Sequence, residues 1–177
     1  MKKNNIKILL LRHFITKWNT QEKLQGLKDN SIIKPSTKTL NEVQKKLKNI
    51  NNIDIYSSKL KRSIQTAKYL KLNFKKLKIL NEVDIGKFEG TPRQNFYSII
   101  DFDNTDLLKK NRIESKSKII SRIKKLKKKI RRDTLIISHG IFIKLLMSYL
   151  KYKKISYFKR FKIKNSEIKI INLNKKM

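Results

Sequence analysis

Lys7-Ile-Leu-Leu-Leu-Arg-His13 is a continuous apolar run that ends in an arginine and a histidine. A short run of this composition is typical of a strand buried inside a parallel sheet. The same arrangement recurs in Thr134-Leu-Ile-Ile-Ser-His-Gly140, which carries the second of only two histidines in the chain. Because the carboxyl ends of parallel strands line the binding crevice of an open α/β sheet, we expect His13 and His139 to share one site.

Helical and extended patterns alternate along the rest of the chain, which predicts an α/β layer fold with a largely parallel sheet. The predicted elements are a helix over 39–49, a strand over 53–56, a helix capped by Ser57-Ser58 with an inner face of Leu60, Ile64 and Ala67, a weak strand over 77–80, a helix with the apolar stripe Ile119, Ile123, Leu126 and Ile130, a helix over 141–150 and a final strand over 167–173. The segment 96–111 is irregular and predicts short helical pieces.

The length and composition limit the class of protein. A chain of 177 residues predicts a single domain with an ordinary core. The absence of cysteine rules out disulfides and thiolate metal sites and fits a reducing cytoplasm. The apolar stretch near the N-terminus is shorter than a signal-peptide core, and no run approaches the ~18 apolar residues of a membrane span. We therefore expect a cytoplasmic protein without membrane contact.

The charge is strongly positive, with 46 Lys and Arg against 13 Asp and Glu and a formal net charge of +33. Such a balance favours nucleic-acid binding at first sight. The cations, however, are spread over the chain and are mostly lysine, as compositional bias alone would produce, and the lysines at 124–129 predict a solvated helix face. Nucleic-acid contact is disfavoured but stays open, as does electrostatic steering of phosphorylated substrates.

Three further side chains complete a set of groups suited to phosphate chemistry. Hydrolysis of a phosphomonoester needs a nucleophile, a cradle for the dianion and an acid for the leaving oxygen. The Arg12 guanidinium can grip phosphate oxygens in a bidentate fork. Arg62 lies in the first turns of a predicted helix, where the helix dipole also favours an anion. One carboxylate of a glycine-containing loop, Glu82, Asp84 or Glu89, would be the acid, and the others are interpreted as loop-capping or solvated carboxylates.

At this point the motifs resemble those of the histidine phosphatase superfamily, with its phosphoglycerate mutase-like fold, and of its short members such as the α-ribazole phosphatases. The matching motifs, in chain order, are Leu11-Arg-His-Phe-Ile-Thr16 with Trp18 and Asn19, Gln25-Gly26 and Asp29, Tyr56-Ser-Ser-Lys-Leu-Lys-Arg62 with Gln65-Thr-Ala67, Leu80-Asn-Glu82 with Gly86 and Phe88-Glu-Gly90, Ser138-His-Gly140, and Asn165-Ser166. Each motif alone is weak, but their shared order and spacing make a specific signal.

The resemblance implies a three-layer α/β/α domain over residues 1–177, with a short cap region at about 90–133. It implies a metal-independent phosphatase without a cofactor, acting on a small phosphorylated substrate through a phosphohistidine. The implied roles are nucleophile for His13, proton donor and later base for Glu82, phosphoryl-oxygen ligands for Arg12, Arg62, His139 and Asn19, and further substrate contacts for Thr16, Gln25, Gly26 and Gly140. The longer insert that the resemblance associates with mutases is missing, which favours a phosphatase.

One residue departs from the family pattern, since Phe14 stands where the family has glycine. Its benzyl group would either narrow the pocket or turn toward the core. Mutase-type phosphoryl transfer, and a non-catalytic or nucleic-acid-binding relative, stay open as alternatives. The same motifs leave open the natural substrate, among sugar phosphates, nucleotides and phosphoproteins, and the oligomeric state.

Overall fold

The structure is a computed structural model that describes residues 5–48 and 52–174. At its centre β1 (Asn5–Arg12) pairs in parallel with β4 (Thr134–Ser138), and Arg12 lies opposite Ser138 in the register. The two apolar runs that precede His13 and His139 are therefore neighbouring strands. Because they are in register, the residues that follow them, His13 and His139, emerge at the same edge of the sheet, as predicted.

The remaining elements surround this pair of strands. The helices are α1 (Lys17–Thr20), α2 (Thr37–Leu47), α3 (Lys61–Tyr69), α4 (Arg93–Ile99), α5 (Thr105–Lys110), α6 (Lys116–Lys129) and α7 (Gly140–Tyr152), and the other strands are β2 (Asp54–Ser57), β3 (Lys75–Lys76) and β5 (Ile168–Asn174). The sheet order is β3-β2-β4-β1-β5, and only β5 runs antiparallel to its neighbour. The prediction of a mostly parallel sheet is confirmed.

Alternation along β1 divides the apolar core into two layers. Ile8 and Leu10 face a large cluster built from α4, α6 and α7, whereas Leu9 and Leu11 face a smaller cluster with α2 and α3. Successive side chains of a strand point to opposite faces, so a strand that is apolar at every position must be covered on both sides. Helices thus pack on both faces of the sheet, which confirms the three-layer α/β/α arrangement.

Two local predictions are wrong. The segment predicted as a strand over 77–80 is a short 3₁₀ helix, Lys78–Leu80, and the strand beside it covers only Lys75–Lys76. The N-cap of α3 is Leu60, not a serine, although Ser58 supports this turn by accepting a hydrogen bond from the Leu60 N–H at 3.1 Å. A serine two residues before the N-cap can thus hydrogen-bond to the helix start without occupying the cap position.

The buried face of α3 is also more polar than predicted. Ile64 is only half-buried, while Arg62, Ser63 and Thr66 are buried with Ala67. This face of α3 lies against the site and not only against the core, so hydrogen-bonding side chains replace apolar ones there.

On α6, Ile123 and Leu126 are buried. The lysines at 124, 125 and 127–129 are exposed, as predicted for a solvated helix face. Among the described residues, no helix combines the length and apolar character needed to cross a bilayer.

Candidate active site

A small cavity of about 40 Å³ lies at the carboxyl ends of β1 and β4. Eight of the predicted site residues line it, namely Arg12, His13, Asn19, Gln25, Gly26, Arg62, Glu82 and Gly140. Thr16 and His139 are fully buried and are not among the lining residues. The volume is close to what three water-sized groups occupy at roughly 10–15 Å³ each, which suits the oxygens of one phosphoryl group.

The His13 ring is fixed in one tautomer. Its Nδ1 lies 2.6 Å from the backbone oxygen of Phe14, and since a carbonyl can only accept, Nδ1 carries the proton. The opposite nitrogen, Nε2, is then unprotonated. Burial, with Arg62 and Arg12 adding positive potential, lowers the pKa of His13 well below its usual 6.5. His13 is therefore a neutral imidazole with a free lone pair near neutral pH, the form that a nucleophile requires.

Phe14 turns away from the cavity. Its ring is 1 % exposed and packs in the smaller apolar cluster with Leu9, Leu11 and Leu70. The backbone N–H of Phe14 donates to Thr66 Oγ1 at 2.9 Å, and its φ is not positive. Glycine is therefore not required by the backbone at this position, and of the two alternatives for the benzyl group the structure shows burial in the core.

Two neighbouring residues orient Asn19 by donating hydrogen bonds to its side-chain oxygen. Its Oδ1 accepts hydrogen bonds from the Thr16 hydroxyl at 3.0 Å and from the Asn165 amide at 3.1 Å. Asn165 also donates to the backbone oxygen of His13 at 3.0 Å. With Oδ1 so engaged, the Asn19 Nδ2 is the atom left to donate into the cavity. Thr16 thus acts on Asn19 and does not itself reach the cavity.

The Arg12 guanidinium has a buried N–H donor that lacks a hydrogen-bond partner among the described residues. Its NH1 donates to the Ile163 carbonyl at 3.0 Å, whereas its Nε is buried and has no hydrogen-bond partner among the described residues. Burial lowers the pKa of Arg12, but an arginine stays charged at neutral pH. A Cβ at position 140 would lie 3.3 Å from the Arg12 Cζ and Nε, so Gly140 provides the space in which this guanidinium lies.

Arg62 is 1 % exposed and is anchored by three hydrogen bonds. Its NH1 and NH2 donate to the carbonyls of Lys28 at 2.6 Å and Gly26 at 2.7 Å, and its Nε donates to His139 Nδ1 at 3.0 Å. Burial lowers the pKa of Arg62 to about 10, which leaves it charged at neutral pH. Since a guanidinium has five N–H donors, one on each terminal nitrogen stays available to an oxygen in the cavity.

His139 forms hydrogen bonds with one arginine and two serines. Because Arg62 can only donate, Nδ1 of His139 accepts, and the proton of the neutral ring lies on Nε2, which is 2.7 Å from Ser58 Oγ and 3.3 Å from Ser63 Oγ. Burial, Arg62 and then His13 lower the pKa of His139 well below 6.5. Both ring nitrogens are therefore committed to the protein, although the two histidine rings are only 5.2 Å apart.

Glu82 is held at the N-terminus of α7. Its Oε1 accepts hydrogen bonds from the N–H groups of Phe142 at 2.8 Å and Val83 at 3.0 Å, and its Oε2 accepts from Ile141 at 3.1 Å. The helix N-terminus thus fixes a carboxylate at the wall of the cavity. Asp84 accepts from the Gly86 N–H at 3.0 Å and Glu89 from the Leu27 N–H at 2.5 Å, so both hold loops, as predicted.

Gln25 and Gly26 line the cavity opposite the strands. Gln25 is buried, and its Oε1 accepts from the Asn30 amide at 3.2 Å. Gly26 has a φ of +50°, and a Cβ there would overlap the Glu89 carboxylate. Glycine is required at this position, because it supplies a left-handed backbone and lets its carbonyl reach Arg62.

Six residues outside the predicted set also line the cavity, the apolar Leu24 and Ile141 and the polar Lys23, Arg93, Tyr97 and Lys144. Arg93 and Tyr97 are four residues apart on α4, and Lys144 is four residues after Gly140 on α7, so each lies one helical turn from a neighbour in the site. That spacing is the signal that could have found Lys144. Nothing local in the sequence shows that α4 folds over the strand ends.

Among the residues that the structure describes, no group of three or more carboxylate and histidine side chains could hold a metal ion. The groups available at the cavity are a neutral imidazole, three guanidiniums, two ammonium groups, side-chain amides, a phenol hydroxyl and a carboxylate.

The protein has an α/β/α fold, with an arginine-histidine pair at the end of one strand and a second histidine at the end of the neighbouring strand. These features define its class. The sequence profile of the histidine phosphatase superfamily (branch 1) matches residues 8–177. The chain belongs to the histidine phosphatase superfamily, as its motifs predicted.

Several known proteins have a similar sequence or structure. Bovine (Bos taurus) 6-phosphofructo-2-kinase/fructose-2,6-bisphosphatase 3 is 36% identical over 84 residues, and the alignment spans 46% of this chain but 18% of that relative. The phosphoserine phosphatase of Entamoeba histolytica, solved with phosphoserine, has a TM-score of 0.73 at 23% identity, covering 93% of this chain and 89% of that one. The α-ribazole phosphatase of Shigella flexneri has a TM-score of 0.74 at 18% identity, covering 96% and 92%. At these identities the two structures establish a common fold.

Proposed function

We propose that this protein is a metal-independent phosphomonoesterase that works through a phosphohistidine at His13. The observation that carries the proposal is the pairing of an unprotonated Nε2 on buried His13 with a buried, unpartnered Nε on Arg12 at the same small cavity. A buried donor without a partner is costly unless a ligand satisfies it. A phosphoryl oxygen would supply the missing acceptor.

In the first step, the Nε2 lone pair of His13 attacks phosphorus and the bond from phosphorus to the leaving oxygen breaks. Glu82, in its carboxylic acid form, gives its proton to that oxygen, so the product leaves as an alcohol. In the second step, the Glu82 carboxylate takes a proton from water, whose oxygen attacks phosphorus. The bond to nitrogen then breaks, which returns neutral His13 and releases inorganic phosphate.

Side chains of this protein would stabilise the negative charge on the phosphoryl group during its transfer. Arg12, Arg62 and the Asn19 amide are fixed by hydrogen bonds before any substrate binds, and such preorganised donors stabilise a transition state without rearranging. Two guanidiniums then do what a metal ion does in other phosphatases. We propose that His139 acts mainly through Arg62, because both of its nitrogens already have partners.

Residues 90–133 would form the cap that selects the substrate, within a single domain over 1–177. This segment carries α4, α5 and α6. We propose a small phosphorylated metabolite as substrate. In support, the cavity is sized for one phosphoryl group, and the related structures include proteins named for phosphoserine and α-ribazole phosphate. The lack of cysteine keeps the cytoplasm as the proposed location.

The test is hydrolysis of p-nitrophenyl phosphate by the parent protein and by His13→Ala, both in excess EDTA. We expect the substitution to lower kcat by about a thousandfold or more, with EDTA having no effect. Acid-labile, base-stable phosphate on a peptide containing His13 should appear after rapid quenching of the parent and be absent from the variant.

Equal turnover by parent and variant would overturn the proposal, and loss of activity in EDTA would overturn its metal independence. Transfer of the phosphoryl group to a second substrate molecule instead of water would favour the mutase-type alternative. Thermal unfolding of His13→Ala serves as the control for folding.

A further inference from the structure

Arg122 is a largely buried cation on α6 that does not line the active-site cavity. The exposed fraction of its side chain is 16%, and its Cζ lies 4.5 Å from the centre of the Phe142 ring. Its NH1 forms an ion pair with Glu114 Oε2 at 2.6 Å. A guanidinium this far from water is costly unless its other donors are paired as well, so the partners of those donors show what it holds.

The remaining donors of Arg122 bind the backbone just before Glu82. Its Nε donates to the Ile79 carbonyl at 3.1 Å, and its NH2 donates to the Asn81 carbonyl. These carbonyls lie at the end of the short 3₁₀ helix over 78–80, and the last carbonyls of a helix have no partner within it. One side chain thus supplies donors to two carbonyls that would otherwise lack them.

The same guanidinium is tied to the chain beyond Glu82. Glu114 Oε2, which accepts from Arg122, also accepts from the Asp84 N–H at 3.4 Å. The Glu114 N–H in turn donates to the Asp84 carbonyl at 2.8 Å. The backbone is therefore held at positions 79 and 81 before Glu82 and at position 84 after it, and Arg122 takes part on both sides.

Phe142 connects Arg122 with the carboxylate of Glu82. The Phe142 ring packs against the guanidinium, and the Phe142 N–H donates to Glu82 Oε1 at 2.8 Å. A proton donor must lie within about 2.6–3.2 Å of the atom that receives the proton, and a displacement of about 1 Å can cost a hundredfold in rate. The position of this carboxylate therefore depends on a loop and a helix start that both contact Arg122.

We propose that Arg122 is a positioning residue for Glu82 and holds its carboxyl group within reach of the leaving oxygen. This inference rests on the proposed function, in which Glu82 is the proton donor. It also couples the segment proposed as the cap to the chemical step, because Arg122 belongs to α6. The hydrogen bonds that anchor Arg12 and Arg62 do not involve Arg122, so its loss should disturb proton transfer more than phosphate binding.

The test compares two substrates of equal charge and similar shape, phenyl phosphate and p-nitrophenyl phosphate. Phenol has a pKa of about 10, like tyrosine, so phenolate needs a proton to leave. The nitro group stabilises the other leaving group as an anion, which needs the proton far less. The readout is the ratio of the two kcat/KM values, p-nitrophenyl phosphate over phenyl phosphate. A smaller folded fraction lowers both values equally and cancels in this ratio.

In Arg122→Met we expect kcat/KM to fall about a hundredfold for phenyl phosphate and less than about tenfold for p-nitrophenyl phosphate, so the ratio rises about tenfold or more. Arg122→Lys keeps the charge but lacks the planar fork, and it should show a smaller rise. It carries the same test if Arg122→Met does not fold. Arg132→Met is the matched control, because Arg132 pairs with Asp54 at 2.8 Å at the start of β2, and it should keep the ratio of the parent.

Glu82→Gln separates this inference from the proposed function. Alone, it should raise the ratio at least as much as Arg122→Met, because it removes the proton donor. In the double variant the ratio should equal that of Glu82→Gln, since a positioning residue has no effect once the group it positions is gone. A parent-like ratio in Arg122→Met, or a further rise in the double variant, would overturn the inference. A parent-like ratio in Glu82→Gln would count against the proposed function instead.

Discussion

Arg62 donates its Nε–H to Nδ1 of His139 across 3.0 Å, joining two buried side chains that are 77 residues apart in the sequence. The contact fixes the tautomer of the histidine and the plane of the guanidinium together. The pKa of His139 is lowered first by burial and then by this contact, since a protonated ring would place a cation against Arg62. The contact supports the role proposed for His139, which is to position Arg62.

This arrangement predicts a graded response to substitution of His139. His139→Ala leaves the Arg62 Nε and the Ser58 hydroxyl without their buried partner, so we expect the free energy of unfolding to fall by about 1–3 kcal/mol and kcat/KM to fall strongly. His139→Gln offers an oxygen to Arg62 and should retain measurably more activity. Urea unfolding and steady-state kinetics check both. Equal loss in the two variants would show that the imidazole acts on the substrate directly.

Stability should decrease toward acidic pH. The pKa values of His13 and His139 lie well below 6.5 in the folded protein, mainly because both rings are buried. Below about pH 6.5 the unfolded chain binds protons at these histidines while the folded chain does not, so the free energy of unfolding falls as the pH falls, by up to about 1.4 kcal/mol per pH unit for each ring.

Urea denaturation between about pH 7 and pH 5 measures this slope above the range in which most carboxylates titrate. In His139→Gln the slope should be about half that of the parent, since one titrating ring is gone. A free energy of unfolding that is constant over this interval would contradict the burial of the two neutral rings.

Phe14→Gly would restore the residue that the family pattern has at this position. Because the ring is 1 % exposed in the apolar cluster with Leu9 and Leu70, we expect a loss of about 3–5 kcal/mol in the free energy of unfolding. The intrinsic kcat of the folded fraction should not rise, since Phe14 does not line the cavity. Kinetics at low temperature, with the folded fraction measured by circular dichroism, check the prediction. A faster enzyme would show that the benzyl group restricts the site.

Gly140→Ala should separate activity from stability. A methyl group would lie 3.3 Å from the Arg12 Cζ and Nε and displace the guanidinium, so we expect the KM for an aryl phosphate to rise several-fold or more. Alanine is a better helix former than glycine, so the melting temperature should be unchanged or slightly higher. Lys151→Ala on the exposed side of the same helix is the control. An unaltered KM would show that Arg12 does not need this space.

Asn165→Ala tests the link between the turn that precedes β5 and the nucleophile. The Asn165 amide donates both to the His13 carbonyl and to Asn19 Oδ1, so its removal should free the Asn19 side chain to rotate. We expect kcat/KM to fall by about ten- to a hundredfold with the fold retained. Asn172→Ala, at a position on β5 away from these contacts, is the comparison. If the two variants behave alike, Asn165 has no positioning role.

The sequence by itself determined the sheet and the residues that emerge from it. Apolar runs such as Ile8 to Leu11 can only be buried on both faces, which dictates a parallel sheet covered by helices, and the ordered motifs identified the family. The positions of Arg12 and His13 at one cavity followed from the same reasoning, because strand ends meet at one edge of such a sheet, whereas Arg62 and Glu82 were placed there by the family motifs.

Only the tertiary structure decided how those groups are held and what surrounds them. The tautomer of His139, the unpartnered Arg12 Nε and the burial of Phe14 depend on hydrogen bonds and contacts between segments far apart in the chain. Lys144 and Tyr97 look like ordinary helix residues until α4 packs over the strand ends and removes water from them. Spacing along a chain sets which face of an element a side chain occupies, but the neighbour it meets there depends on the packing of distant elements.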